Sequence, residues 1–194
     1  MKNLLVGLLL FGLTTQGFSQ QKQDKIQAVK LQDVVITQNV TKNAIDEPVI
    51  NLNYVYLDKV NDETTAYDVK LLEAMASRYD VKNSPNYDGV QETYQTIFRG
   101  DKGYIIATYD NESKILKTKE RYTDIKIPKK MVNSILMKYP KSHFLKVVHN
   151  VNYSQIKGVK KTYKIRILNN NETKNLKITS KGNNDNAYTM SLEK

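Results

Sequence analysis

The sequence predicts an α+β fold in which two tandem helix-strand-strand-strand repeats pack their helices on one face of an antiparallel sheet. Three observations lead there. Tyr104-Ile105-Ile106-Ala107-Thr108-Tyr109 is rich in β-branched and aromatic residues, Asp110-Asn111-Glu112-Ser113 bends the backbone, and Lys114-Ile115-Leu116-Lys117-Thr118-Lys119-Glu120-Arg121-Tyr122 is polar on alternate positions. That is a hairpin with one face buried. The pattern returns in Tyr163-Lys164-Ile165-Arg166-Ile167-Leu168, a polar turn over 169–173, and Lys174-Asn175-Leu176-Lys177, with Tyr104 over Tyr163 and Ile106 over Ile165. The same spacing lays Leu71-Leu72, Met75 and Tyr79 over Met131-Val132, Ile135 and Tyr139. A helix and a hairpin therefore repeat together.

Residues 1–19 read as a signal peptide: Lys2 is the positive charge, the stretch 4–13 is an apolar run, and Gly17-Phe18-Ser19 is a small-x-small cleavage site. The run is shorter than the ~20 residues that span a bilayer. The expectation is an exported protein, periplasmic or extracellular. Residues 20–60 form an N-terminal segment with short strands over 31–37 and 51–60, the second with Leu52, Tyr54 and Tyr56 on one side. Asp46-Glu47-Pro48 marks the loop between them. The first repeat covers 61–124. Asp62-Glu63-Thr64-Thr65 caps a helix to about Tyr79, whose stripe is Val69, Leu72, Met75, Ala76 and Tyr79. A strand with Val90, Tyr94 and Phe98 in phase follows and turns through Gly100-Asp101-Lys102-Gly103. The second repeat covers 125–180. Its helix opens at Ile127-Pro128 and stops at Pro140. Its strand over 144–153 keeps Leu145, Val147 and Val151 in phase and joins the last hairpin through Gly158. Residues 181–194 read as a flexible tail.

Composition narrows the chemistry. There is no cysteine, so disulfides, thiolates and lipid attachment at cysteine are excluded. Residues 20–80 carry a net charge of −3 and residues 81–194 a net charge of +12, so the basic character belongs to the repeated region. No GxSxG elbow, glycine-rich phosphate loop or HExxH occurs. The two histidines, His143 and His149, lie far apart on one strand with no completing ligands. His149, in phase with Val147 and Val151, reads as a sheet histidine under the helix. Asp110, Asn111 and Glu112 are what a hairpin turn needs and too few for calcium. No enzyme, metal or cofactor is expected.

A helix ending in Tyr139-Pro140, Ala107-Thr108-Tyr109-Asp110 with Ile115-Leu116 after the turn, and Ile127-Pro128 opening the second helix together carry a resemblance. The chain resembles the PepSY-like family of exported bacterial proteins, of flavobacterial type, with a β-lactamase-inhibitor-protein-like fold. The resemblance covers roughly 65–179. It implies tandem helix-plus-sheet units with the helices against one sheet face, and it carries over no inhibitory residue.

If Tyr104, Ile106, Leu116, Tyr163, Ile165, Ile167 and Leu176 point inward, alternation turns Ile105, Ala107, Tyr109, Lys117, Lys119, Arg121, Lys164, Arg166 and Lys177 outward. Exposed Ile105 beside Tyr109 is then an apolar centre with a basic rim, the composition of a protein interface. The expected function is a non-catalytic binding module that recognises an envelope protein, as inhibitor or chaperone, through Ile105, Tyr109, Lys117, Lys119, Arg121, Lys164, Arg166 and Lys177. The alternative is electrostatic binding of anionic envelope lipid or polysaccharide, and nucleic acid conflicts with export.

Overall fold

The structure is a computed structural model that describes residues 29–30, 34–35, 53–181 and 188–193. The proposed signal peptide lies outside the described residues, as does most of the segment between it and Asn53.

The elements are, in order, β1 (Val29–Lys30), β2 (Val34–Val35), α1 (Tyr54–Val60), α2 (Tyr67–Arg78), a short 3-10 turn (Val81–Asn83), β3 (Thr93–Gly100), β4 (Gly103–Asp110), β5 (Ile115–Thr123), α3 (Lys129–Lys138), β6 (His143–Ser154), β7 (Gly158–Asn169), β8 (Glu172–Lys181) and β9 (Tyr188–Glu193). Strands β3 to β9 form a seven-stranded antiparallel meander in sequence order. The two-residue strands β1 and β2 add in parallel to β3. Of the strand expected over 31–37, Val34 and Val35 are described, and they pair with Phe98 and Arg99.

One core joins the three helices to the sheet. Tyr56 and Val60 of α1, Val69, Leu72 and Ala76 of α2, and Met131 and Ile135 of α3 belong to a single apolar cluster with Tyr94, Phe98, Ile105, Tyr109, Val151, Ile165 and Leu176. Removing each such side chain from water contributes ~1.5–3 kcal/mol.

Four expectations are corrected. The strand expected over 51–60 is helix α1, because Tyr56 and Val60, one turn apart, bury together while Tyr54 and Val55 face solvent. Asn53 fixes its start: Nδ2 donates to the carbonyls of Ser77 (3.1 Å) and Ser113 (2.9 Å), and Oδ1 accepts from the Ile115 N–H (2.6 Å). Asp62–Thr65 do not cap α2: the helix begins at Tyr67 with Ala66 at its cap and no side-chain cap bond, because Thr64 N–H donates to Asp62 Oδ1 and Asp62 N–H to Thr65 Oγ1 in a separate turn. Within the tail expected to fray, Tyr188–Glu193 is a strand on β8, where Met190 pairs with Ile178 and packs on the core.

The fourth correction bears on function. Ile105, Ala107 and Tyr109 are completely buried, while Tyr104 and Ile106 are half-buried on the opposite face. Both alternating sets of β4 are apolar, so its neighbour decides the phase. Ile106 lies opposite Lys119 and Tyr104 opposite Arg121, whereas Ile105 lies opposite Glu120. Cross-strand partners share a face. Burying Lys117, Lys119 and Arg121 would desolvate three cations, against one carboxylate in the observed phase. A bulge between Thr108 and Tyr109 brings Tyr109 opposite Ile115 and leaves Leu116 out of the pairing.

Candidate functional site

The outer sheet face is built by alternation. On β5 the exposed Lys117, Lys119 and Arg121 stand ~6.8 Å apart along the strand. On β7 the exposed Lys160, Lys164 and Arg166 point the same way, and on β8 Lys177, half-buried, lies opposite Lys164. Ladder neighbours hold several of these side chains: Arg121 Nη1 donates to Asn150 Oδ1 at 3.4 Å, Arg166 Nε to Asn175 Oδ1 at 3.1 Å, and Lys164 Nζ pairs with Glu193 at 2.8 Å. At the hairpin end, Asp110 Oδ1 accepts from the N–H groups of Glu112 (3.0 Å) and Lys114 (2.8 Å), a turn function.

Of the predicted contact residues, Lys117, Lys119, Arg121, Lys164, Arg166 and Lys177 share this face. Ile105 and Tyr109 do not: Tyr109 Oη donates to the Ala76 carbonyl of α2 at 2.8 Å from inside the core. Their place is taken by Ile97, Tyr104 and Ile106, each half-buried, with Ile97 paired to Ile106 and Arg99 to Tyr104. The one-residue shift of β4 exchanges the apolar centre without removing it.

Behind the sheet lies a polar cluster that alternation alone did not single out. Glu120 is buried and accepts three hydroxyl hydrogens: Tyr56 at 2.9 Å and Thr118 at 2.6 Å on Oε1, and Tyr122 at 2.8 Å on Oε2. Glu73 of α2 is wholly buried, and its carboxyl oxygens receive no donor among the described residues. Burial first, and the charge of Glu120 second, push the Glu73 carboxyl well above the usual range. Burial also raises the Glu120 carboxyl, and its bonds from Thr118, Tyr122 and Tyr56 oppose that rise. Lys161, almost fully buried, pairs with Asp62 at 2.6 Å and ties β7 to the turn before α2. The signal that could have found the two acids is their phase: Glu73 follows Leu72 on the apolar side of α2, and Glu120 alternates with Lys119 and Arg121 in step with Thr118 and Tyr122.

His149 stacks on Tyr163 with ring centroids 4.0 Å apart and planes 6° from parallel. Neither ring nitrogen has a hydrogen-bond partner among the described residues. Burial, then the Lys161 charge, lowers its pKa to about 3. His149 is a neutral core residue, and among the described residues no three His, Cys, Asp or Glu side chains are grouped to hold a metal. Through Glu120 the Tyr56 hydroxyl fastens α1 to β5. No family model, curated protein or solved structure matches this chain.

Proposed function

We propose that this chain is an exported, non-catalytic binding module of the periplasm or cell surface, whose outer sheet face recognises an acidic patch on an envelope protein. The observation that carries the reading is the juxtaposition of Ile97, Tyr104 and Ile106 with Arg99, Lys117, Lys119 and Arg121 on that face. Apolar and aromatic side chains excluded from water at the middle of an interface supply affinity, and a cationic rim supplies orientation and a fast encounter. A helix followed by three strands, α2-β3-β4-β5, and then a helix followed by β6-β7-β8 with β9 added, supports the repeat reading and the resemblance to the PepSY-like family. Inhibition or chaperoning of the partner is the role such a module would have.

The test is affinity capture from the envelope of the producing organism with residues 20–194 as bait, beside Lys117→Glu/Lys119→Glu/Arg121→Glu and Ile106→Asp. A protein retained by the parent, lost by both variants, and bound again by the parent as a purified pair supports the reading. Retention by both variants overturns it.

A second reading rests on the cations of β7 and β8, which run beyond the apolar centre. Lys160, Lys164, Arg166 and Lys177 fit an anionic polysaccharide or lipid surface. Such binding falls steeply with salt and weakens in proportion to the positive charge removed.

A further inference from the structure

The outer face changes character across its width. Ile97, Tyr104 and Ile106 stand on β3 and β4, whereas from β6 to β8 the central outward positions are amides, hydroxyls and cations. One line of cross-strand pairs runs through them: Arg121 of β5 lies opposite Asn150, Asn150 opposite Thr162 of β7, and Thr162 opposite Thr179 of β8. Paired residues share a face, so these side chains form a row ~14 Å long at strand spacing. Lysines flank the row ~6.8 Å away along the strands. Lys119 and Lys160 stand on one side, Lys164 and Lys177 on the other.

The row is a floor between these longer side chains. Thr162 is only 8% exposed although it lies on the outer face. A shallow recess of about 240 Å³, lined by Lys146, Lys164, Arg166 and Asn175 over Val148, adjoins it. Glu193 is the acid at that recess and pairs with Lys164 at 2.8 Å. The ladder partners of Lys119, Lys160 and Lys177 are Ile106, Asn152, Lys181, Lys164 and Ser191, none of them acidic.

Floor and flanks together select one chemistry. An anionic lipid surface answers the lysines and makes no use of the amide and hydroxyls between them. A chain of sugar acids uses both. Its hydroxyls exchange hydrogen bonds with Asn150, Thr162 and Thr179, whose side chains donate and accept, and its carboxylates meet the ammonium groups. In its extended two-fold form such a chain turns successive carboxylates to opposite edges, where the two lysine rows stand. We propose that the outer face between β5 and β8 binds an acidic oligosaccharide of the polyuronate class, lying across the strands over Asn150, Thr162 and Thr179, with carboxylates at Lys119 and Lys160 on one edge and Lys177 on the other. This inference rests on the second reading of the outer face and narrows it from any anionic surface to one ligand class.

Titration calorimetry of residues 20–194 with tetragalacturonate, with tetrapolyphosphate as an anion without sugar hydroxyls, and with phosphatidylglycerol vesicles tests it. The expected result is saturable one-to-one binding of tetragalacturonate. Thr162→Val/Thr179→Val keeps every charge and suits a strand. It weakens tetragalacturonate about ten-fold, the loss of two hydrogen bonds, and leaves tetrapolyphosphate and the vesicles as they are. Lys160→Gln/Lys177→Gln weakens tetragalacturonate about five-fold and lowers binding of the other two as well. Unchanged thermal midpoints exclude misfolding as the cause of either loss. No binding of tetragalacturonate, an equal response of all three probes to the threonine changes, or no effect of the lysine changes overturns the inference. If tetrapolyphosphate or the vesicles still bind and are weakened by the lysine changes, the electrostatic reading stands and the sugar-acid track alone is lost; if no probe binds, both are lost.

Discussion

Tyr56 of α1 donates its hydroxyl hydrogen to Glu120 of β5 at 2.9 Å, across 64 positions of sequence. The same carboxylate takes hydroxyl hydrogens from Thr118 and Tyr122, and its charge, after burial, pushes the carboxyl of Glu73 on α2 well above the usual range. One buried anion thus gathers two helices and a strand. A carboxylate so placed is tolerable because three hydroxyl donors answer it, each hydrogen bond to a charged group being worth ~1.5–3 kcal/mol.

Glu73 makes stability depend on pH with a defined sign. Its folded pKa lies above its unfolded value, so the folded chain keeps a proton that the unfolded chain releases. The contribution is complete below the unfolded carboxyl pKa of ~4.3 and is lost as pH rises toward the folded value. Glu73→Gln keeps the size of the side chain and cannot ionise. Urea unfolding from about pH 5 to about pH 9 should therefore show a smaller decline for this variant than for the parent; parallel declines would show that Glu73 does not carry the pH dependence.

His149 works in the opposite direction. Its pKa falls from 6.5 to about 3, so the unfolded chain binds the extra proton. Stability from the neutral ring is full above the unfolded pKa and is lost as pH drops toward 3, on the order of 5 kcal/mol over the whole interval. His149→Phe keeps the stack on Tyr163, removes two buried nitrogens without partners, and should raise stability by ~1 kcal/mol at neutral pH. Between about pH 7 and pH 4 it should lose less than the parent does. Thermal melts across that range decide it.

What could be read from sequence depended on contrast within each element. In β7, Lys164 and Arg166 alternate with Tyr163, Ile165 and Ile167, so charge and apolarity separate cleanly and the phase was legible. In β4, Tyr104, Ile106 and Thr108 differ little from Ile105, Ala107 and Tyr109, and only the pairing with Lys119 and Arg121 chooses between them. Helix α1 is seven residues rich in β-formers, too short for its period to show, and it exists because tertiary packing seats Tyr56 and Val60. Glu73, Glu120 and Lys161 count as solvated charge until partners distant in sequence are brought to them.

Gly103 opens β4 where the strands are too close for a side chain. A Cβ there would clash with the Arg121 carbonyl oxygen and stand 2.8 Å from Tyr122 Cα, both backbone atoms of β5. Backbone of a paired strand cannot step aside cheaply, so Gly103→Ala should cost ~2 kcal/mol or more and open the β4–β5 ladder from that end. Faster amide exchange at Thr123, whose N–H donates to the Lys102 carbonyl at 2.7 Å, is the local readout. An unchanged exchange rate there would show that the ladder accommodates the methyl.

The phase of β4 is open to direct test, because neighbouring isoleucines face opposite ways. Ile105 is completely buried between Phe98 and Glu120 in the ladder, and a lysine there must either desolvate its ammonium or break the strand. Ile105→Lys should therefore destabilise by ~3 kcal/mol or more. Ile106, half-buried on the outer face between Ile97 and Lys119, tolerates a long cationic side chain whose head reaches water. Ile106→Lys should change stability by under ~1 kcal/mol, while weakening capture of a partner that needs the apolar centre. The alternative phase, with Ile105 outward, requires the reverse order of destabilisation, and denaturant midpoints of the two proteins separate the phases without knowledge of the partner.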